Sequence, residues 1–323
     1  MKRIALFPAL LTLLACAACG PATVESPPPA TDTRTSALAA PQWLPTTSAL
    51  QARSNATATR LATGQVLVVG GSVSGAVTTT AELYNPANAS WTSTGSMTGA
   101  RSEHTATLLD NGRVLVANGY GGGGAGVVLN TAEIYSPTTG TWTAAAASPS
   151  TRTVGQAAKL TTGKVLITGG YSGAIGILSS ADLYDPFTNS WTATSMNGGR
   201  YRHTLTALPG GKALVAGGSS RLSTLSTAEL FDSATNSFTH AAPMSRARHS
   251  HTATLLPSGK VLIAGGSGTN TAELFDPATN TWKETAGMRV ARAGFTLTPL
   301  YTQEVLAVGC GPAGEPSAEL YTP

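Results

Sequence analysis

The chain has 323 residues, only 11% of them charged, with 36 glycines, 19 prolines and a formal charge of +4 at pH 7. That length is ample for one large core, and the glycine, proline and low charge fit a turn-rich all-β protein. The positive balance is diffuse, includes two cations of the N-terminal leader and forms no basic run, so nucleic acid is not an expected partner.

In chain order, the first element is a leader. Lys2 and Arg3 precede the apolar run IALFPALLTLLA, which is too short to span a bilayer and is interrupted by Pro8. Two cysteines follow, Cys16 with Leu13 three residues before it and Cys19 with small residues before it and Gly20 after it. The pattern resembles a bacterial lipoprotein signal, with residues 1–18 as the signal peptide and Cys19 (or Cys16) as the acylated residue. An ordinary secretory signal is the alternative. Neither cysteine is followed by Asp, which by analogy directs the product to the outer membrane. An outer-membrane lipoprotein of the bacterial cell envelope is expected, held to the membrane by its lipid. Residues 19–40 lack apolar periodicity and carry a triple proline, the composition of a solvated tether.

From residue 41 to 323 the chain repeats itself. The box AEL(Y/F) or its variant begins at Ala81, Ala132, Ala181, Ala228, Ala272 and Ala318, in steps of 51, 49, 47, 44 and 46 residues. An apolar run ending in a glycine pair recurs six times, as VLVVGG (66–71), VLVANG, VLITGG, ALVAGG, VLIAGG and VLAVGC (305–310). An arginine opens each copy: Arg53, Arg101, Arg152, Arg200, Arg248 and Arg292. Such a period marks an array of like units. Within one unit, RHSHTATLLPSGKVLIAGGSGTNTAELFDPATNTW (248–282), four apolar runs are separated by turn residues, which reads as four strands joined by hairpins. Gly259 supplies positive φ to the first hairpin, and Pro277 with Asn280 shapes the third.

An aromatic follows the box aromatic by seven residues, as Trp91, Trp142, Trp191, Phe238 and Trp282, but the chain ends two residues after Tyr321. Trp43 stands ten residues before Arg53, as Trp91 does before Arg101. The spacing therefore predicts that the strand around Trp43 completes the last unit and closes a ring, removing an open sheet edge. The four hydrophobics with a glycine pair and the spaced Tyr and Trp resemble the kelch repeat, and six copies resemble a six-bladed kelch β-propeller with four-stranded antiparallel blades over 41–323. The resemblance places the Arg-bearing strand innermost and the Trp strand outermost. Departures are Asn118 and Cys310 at glycine-pair positions, Phe238 for Trp, and Gln303 where other copies have a turn glycine; they predict local irregularity in blades two and six. Cys310 has no partner cysteine within the propeller, so no disulfide forms there.

In a repeat protein, a residue present in every copy serves the fold, and function sits where copies differ. The acids Glu82, Glu133, Asp182, Glu229, Glu273 and Glu319 match the arginines one for one and are expected to bond with them or with backbone. The glycine pairs are not phosphate loops, because no helix follows them. His104, His203 and His251 each lie three residues after a blade arginine, where Ala56, Gly155 and Phe295 stand in other copies. Equivalent positions on non-adjacent blades are too far apart for one ion, so no metal is assigned to them.

The segments between the glycine pair and the next box hold 9, 12, 10, 9, 5 and 7 residues, and by the kelch resemblance they line one mouth of the channel, together with the inter-blade segments. Blades two and three are built up and blade five is cut short, an asymmetric groove. Its candidate binding residues are Tyr120, Tyr171, Arg221 and Glu315 on these loops, and Tyr201, Arg202, Arg246 and His249 on the inter-blade segments. Aromatic plus arginine suits a protein or glycan ligand. Glu315 is the only carboxylate in the six loops, and a general acid or base needs a tuning partner within reach of substrate. The expectation is a non-enzymatic, monomeric binding protein without cofactor. The alternative is a carbohydrate-active enzyme similar to the periplasmic sialic-acid epimerases, six-bladed kelch proteins that use a carboxylate and an arginine. A galactose-oxidase-like copper site is rejected, because no Cys–Tyr and histidine constellation can be matched.

Overall fold

The computed structural model describes residues 46–122, 126–300, 302–310 and 316–323. The expected signal peptide, tether, acylated cysteines and the strand around Trp43 lie outside them, as does Glu315. Among the described residues no helix is long and apolar enough to cross a membrane.

Each repeat folds into one antiparallel meander. The first sheet runs Thr57–Arg60, Val66–Val69, Ala81–Asn85 and Ser90–Thr94, in that spatial order. The second runs Thr105–Leu108, Val114–Ala117, Ala132–Ser136 and Thr141–Ala145, and the third Gln156–Lys159, Val165–Thr168, Ser180–Asp185 and Ser190–Ser195. The fourth is built from Thr204–Leu208, Lys212–Ala216, Ala228–Asp232 and Ser237–Ala241, and the fifth from Thr252–Leu255, Val261–Ala264, Ala272–Asp276 and Thr281–Thr285. The sixth has three described strands, Thr296–Pro299, Val305–Cys310 and Pro316–Tyr321. The first strand of each sheet packs beside the first strand of the next, which puts these strands innermost.

The second strand is buried on both faces, as Val114, Leu115, Val116 and Ala117 show, because it lies at the centre of a blade sandwiched by its neighbours. Five apolar clusters fill the spaces between successive sheets. Leu67 and Val69 meet Val114 and Tyr135 in the first, and Leu262 and Ala264 meet Val305 and Ala307 in the last. Stability thus comes from the inter-sheet faces, each needing a neighbour to be covered.

The box aromatic and its partner seven residues on face each other across the third and fourth strands. Tyr84 opposes Trp91 and Phe275 opposes Trp282, with ring centroids 5.0 and 4.9 Å apart and planes tilted by 45° in each pair, a geometry favoured by the ring quadrupoles. Where the partner is tryptophan, its indole ties the sheet to the one before: Trp142 donates to Gly95 O, Trp191 to Ala146 O and Trp282 to Ala242 O. Trp91 donates in the same way to Thr47 O at 3.0 Å. The hydroxyls of Thr46 and Tyr84 meet at 2.9 Å, as those of Thr94 and Tyr135 do at 2.7 Å. Thr46 and Thr47 therefore make to the first sheet the contacts that an outer strand makes to its successor. Pairing of this segment with the sixth sheet is not seen among the described residues.

Two departures from the repeat have distinct outcomes. Gln303 takes φ 70° in a hairpin where Gly64, Gly112, Gly163 and Gly259 take 78–88°. A side chain in that region costs about 1 kcal/mol or more. Gln303→Gly should raise the urea midpoint by a stability gain of about 1 kcal/mol; an unchanged or lower midpoint would show that the glutamine side chain stabilises the turn. Asn118, by contrast, does not make blade two irregular, and all four of its strands are present. In four other sheets a methionine (Met97, Met196, Met244 or Met288) lies against the first glycine of the pair, with its Cε 2.9–3.3 Å from where a Cβ would stand. The residue at the methionine position opposite Asn118 is Ser148 instead. The longer amide occupies the space a methionine leaves, and its Nδ2 donates to Ser150 O at 3.0 Å.

Candidate binding site

The blade arginines are the largest fully buried side chains, Arg101, Arg152, Arg200, Arg248 and Arg292 among them. Each reaches into its own sheet. Arg101 donates from Nη1 to Asn118 O and Thr131 O and from Nη2 to Glu133 Oε1, at 2.9–3.0 Å. The same ion pair recurs as Arg53–Glu82 (2.6 Å), Arg152–Asp182 (2.6 Å), Arg200–Glu229 (2.6 Å), Arg248–Glu273 (2.7 Å) and Arg292–Glu319 (2.8 Å). The second carboxylate oxygen of each glutamate accepts a backbone N–H three residues before the arginine, from Leu50, Thr98, Asn197, Ser245 or Arg289. In the third sheet that position is Pro149, which has no N–H. There the acid is the shorter Asp182, and Ser148 Oγ donates to it at 2.7 Å. The acid–arginine series is thus a scaffold that pins the inter-blade segment to its sheet.

Burial pushes the guanidinium of Arg101, Arg152 and Arg200 below its usual range, with the paired acid pulling back. Burial alone would raise the carboxyl of Glu133. The N–H groups of Thr98 and Gly99 together with Arg101 outweigh it and hold the group low. Every displaced carboxylate moves down, namely Glu133, Asp185, Asp276 and Glu319, the opposite of what a general acid requires.

The three blade histidines belong to the same scaffold. His104 Nε2 lies 2.8 Å from Thr57 Oγ1, His203 Nε2 2.8 Å from Thr168 Oγ1, and His251 Nε2 3.0 Å from Thr204 Oγ1. Each pair joins one sheet to the previous one. Desolvation first, and the nearby arginine second, drive the pKa of His104 and of His251 down to about 3 and that of His203 well below its usual value.

The glycine pairs bring two kinds of segment together at one end of the strands. The residue after each arginine bonds to the residue after the glycine pair: Ser54 with Ser72, Ser102 with Tyr120, Thr153 with Tyr171, Tyr201 with Ser219, and His249 O accepts from Ser267 N. The next residue is left-handed in all six copies, with φ 48–65° at Asn55, Glu103, Val154, Arg202, Ser250 and Gly294. These residues are linked in two arcs around the innermost strands, Glu103 N donating to Asn55 O and Val154 N to Glu103 O in one, Ser250 N to Arg202 O and Gly294 N to Ser250 O in the other.

Tyr120, Tyr171, Tyr201 and His249 therefore share one annulus, as the spacing requires. Tyr120 and Tyr171 are exposed. The Tyr120 hydroxyl lies over Gly126, where a Cβ would stand 1.6 Å from it. Arg202, exposed, sits 5.4 Å from the Tyr201 ring centroid in a cation–π contact. Arg221 occupies the tip of the turn closed by the Ser219–Thr224 bridge, and Arg246 is exposed two residues before Arg248. Glu315 is outside the described residues. The built-up side is visible as hairpins at Ser72–Val73 with Ala76–Val77 and at Tyr171–Ser172 with Gly176–Ile177, and a third strand, Val127–Val128, beside Tyr120–Gly121. Sequence reading missed Glu103, which faces this end and accepts from Thr153 Oγ1 at 2.7 Å. It also missed the exposed aliphatics Val127, Ile175 and Leu222. Aligning the copies on their arginines would have isolated Glu103 and Arg202 as the charged members of the left-handed series.

The kelch motif family matches residues 101–148 and 200–245. No curated protein sequence matches the chain. The solved structure of YjhT superimposes with a TM-score of 0.64 at 17% identity, covering 86% of this chain and 97% of that one. At that identity the likeness speaks for the fold alone. With motif, register and architecture in agreement, the chain is a kelch-repeat β-propeller.

Proposed function

We propose that the chain is a non-catalytic binding module, tethered to the cell envelope through a lipidated cysteine, that takes a protein or glycan partner on the face carrying the annulus. One observation carries this reading: everything the copies share is consumed in holding blades together, and what they do not share is concentrated on this face. There Tyr120, Tyr171, Tyr201 with Arg202, and Arg221 stand on a rigid support. Aromatic and arginine side chains supply most of the energy in protein recognition sites, and preorganised loops lower the ordering cost of binding. The test is a binding screen of the full chain against envelope proteins and a glycan array, repeated with Tyr171→Ala and Arg202→Ala. The expected result is a ligand whose affinity falls about tenfold or more in each variant while the thermal midpoint stays put. A ligand insensitive to both substitutions sinks the assignment of this face.

A second reading, an enzyme of the sialic-acid epimerase kind, is favoured by one feature: the series of left-handed residues carries one carboxylate, Glu103, and one guanidinium, Arg202. Anomer interconversion of a free sialic acid, followed by NMR and abolished in Glu103→Gln or Glu315→Gln, would replace the binding reading with this one.

A further inference from the structure

The two ends of the propeller differ in how their surface charges are paired. At the end formed by the first and third hairpins of each sheet, lysines pair with aspartates, and Arg60 and Arg113 stand exposed without an ion pair among the described residues. Lys164 meets Asp185 at 3.3 Å, Lys212 meets Asp232 at 3.8 Å, Lys260 meets Asp276 at 3.2 Å, and Lys159 meets Asp110. The annulus end is different. Outside the buried acid–arginine pairs it holds Arg202, Arg221, Arg246 and Arg289, all exposed and without an ion pair among the described residues. The described carboxylates there are Glu103, which is engaged by Thr153, and Glu284 at the outer rim, which accepts from Ser245.

The same end carries most of the exposed large apolar side chains, although Phe187, 96% exposed, lies at the other. Val127 is 61% exposed, Ile175 77% and Leu222 93%, on the built-up loops of three consecutive blades, with Tyr120 and Tyr171 at the roots of two of them. The loops of the first three blades touch side by side, a Cβ on Gly122 standing 3.2 Å from Val77 Cβ and one on Gly173 3.8 Å from Val128 Cγ2, and the loop of Ile175 reaches the segment before Arg202, where a Cβ on Gly199 would stand 3.0 Å from Ile177 O. Apolar crest and uncompensated arginines thus lie next to each other, blades two to four supplying the first and the segments from Arg202 to Arg289, at blades four to six, the second.

We infer that this face docks an acidic protein segment in which carboxylates alternate with large apolar side chains. The inference rests on the binding-module reading and narrows it. Branched aliphatic tips favour a protein over a sugar, because a sugar stacks on flat rings and gains little from isolated valine, isoleucine and leucine. Exposed apolar side chains clustered with polar neighbours mark interaction surfaces. Complementary charge steers the encounter and sets which partners are refused. Arg202 is preordered over Tyr201, so its fork is presented to a carboxylate with less entropy to lose.

Random dodecapeptides displayed on phage and panned against the full chain test this, with the triple variant Arg202→Glu, Arg221→Glu, Arg246→Glu as the counter-selection. Recovered peptides should be rich in Asp and Glu interleaved with Leu, Ile or Phe. A synthetic copy should bind at least about tenfold more weakly to the charge-reversed variant and to Val127→Ser, Ile175→Ser, Leu222→Ser. The affinity should also fall as salt is raised. Should the reversed variant misfold, the Arg→Lys triple variant serves instead and should retain salt-sensitive binding. Enrichment of basic or uncharged peptides, equal binding by the reversed variant, or no enrichment at all overturns the inference. A glycan bound at Tyr171 with no peptide enriched overturns it and leaves the binding module standing. Sugar turnover with no ligand on this face removes both.

Discussion

Asp182→Asn should cost the propeller about 3–5 kcal/mol, far more than a surface substitution. The change is isosteric and keeps one acceptor, so packing is not at issue. What is lost is the counter-charge of Arg152, whose side chain and that of Asp182 are both 0% exposed. The guanidinium keeps its two carbonyl partners, Gly169 O and Ser180 O, yet these are dipoles and cannot replace a full charge in a dry environment. Burial already pushes the Arg152 pKa below its usual range, with Asp182 opposing it. Removing both charges as Arg152→Met, Asp182→Leu should recover most of the loss, because neither group is then left buried alone. Ser148→Ala should fall between, at about 1–2 kcal/mol, since it strips one donor from the carboxylate. Urea unfolding of the wild type and the three variants decides it. If the Asp182→Asn variant proved as stable as wild type, the charge pair would not be what locks the inter-blade segment, and the scaffold role given to all six pairs would fall.

That third-sheet arrangement also marks where local reading stops. The period of the AEL box and the glycine pairs was enough to place the sheets, because hairpin chemistry is local. Gly259 and Asn280 adopt φ 79° and 53° as their turns demand. The acid–arginine matching was legible too, by counting. Three things were not. Asn118, Ser148, Pro149 and Asp182 compensate one another across 64 residues of sequence, and only their meeting explains why each departs from the repeat. Val154 sits at φ 48°, against the preference of a β-branched residue, and only the bond of its N–H to Glu103 O in the neighbouring copy accounts for it. The aliphatic tips on the loops have no repeat counterpart to flag them, and their exposure becomes meaningful only beside the arginines. That the loops and inter-blade segments share one end of the strands was legible as well. Thr46 and Thr47 meet the first sheet as an outer strand would, no pairing of their segment with the sixth sheet is seen among the described residues, and Trp43 itself lies outside them.

Acid should unfold this protein through its histidines. In the folded chain His104 and His251 titrate near about 3 and His203 far below its usual value, whereas in the unfolded chain each titrates near about 6.5. Below that value the unfolded state binds protons that the native state refuses, so stability rises with pH and falls as pH drops. The window opens near pH 6.5 and extends down to about 3. Within it three histidines together should remove about 4 kcal/mol per pH unit. The carboxylates held low, such as Glu133 and Glu319, add their share only below about pH 4.5, so the interval above about pH 5 isolates the histidines. The chain contains its own control. Phe295 stands at the equivalent position in the sixth sheet, and its ring packs on Gly265 as the His104 ring packs on Gly70, with Cε1 2.7 and 2.8 Å from a Cβ placed there. Replacing all three histidines by phenylalanine should therefore keep the packing, forgo the bonds to Thr57, Thr168 and Thr204, and flatten the dependence between about pH 6.5 and 5. Each single variant should remove about a third of the slope, which keeps the test alive if the triple variant folds poorly. If urea midpoints measured across this interval fall as steeply in the phenylalanine chains as in wild type, the protons go elsewhere, and the histidines are not the acid-sensitive joints between blades.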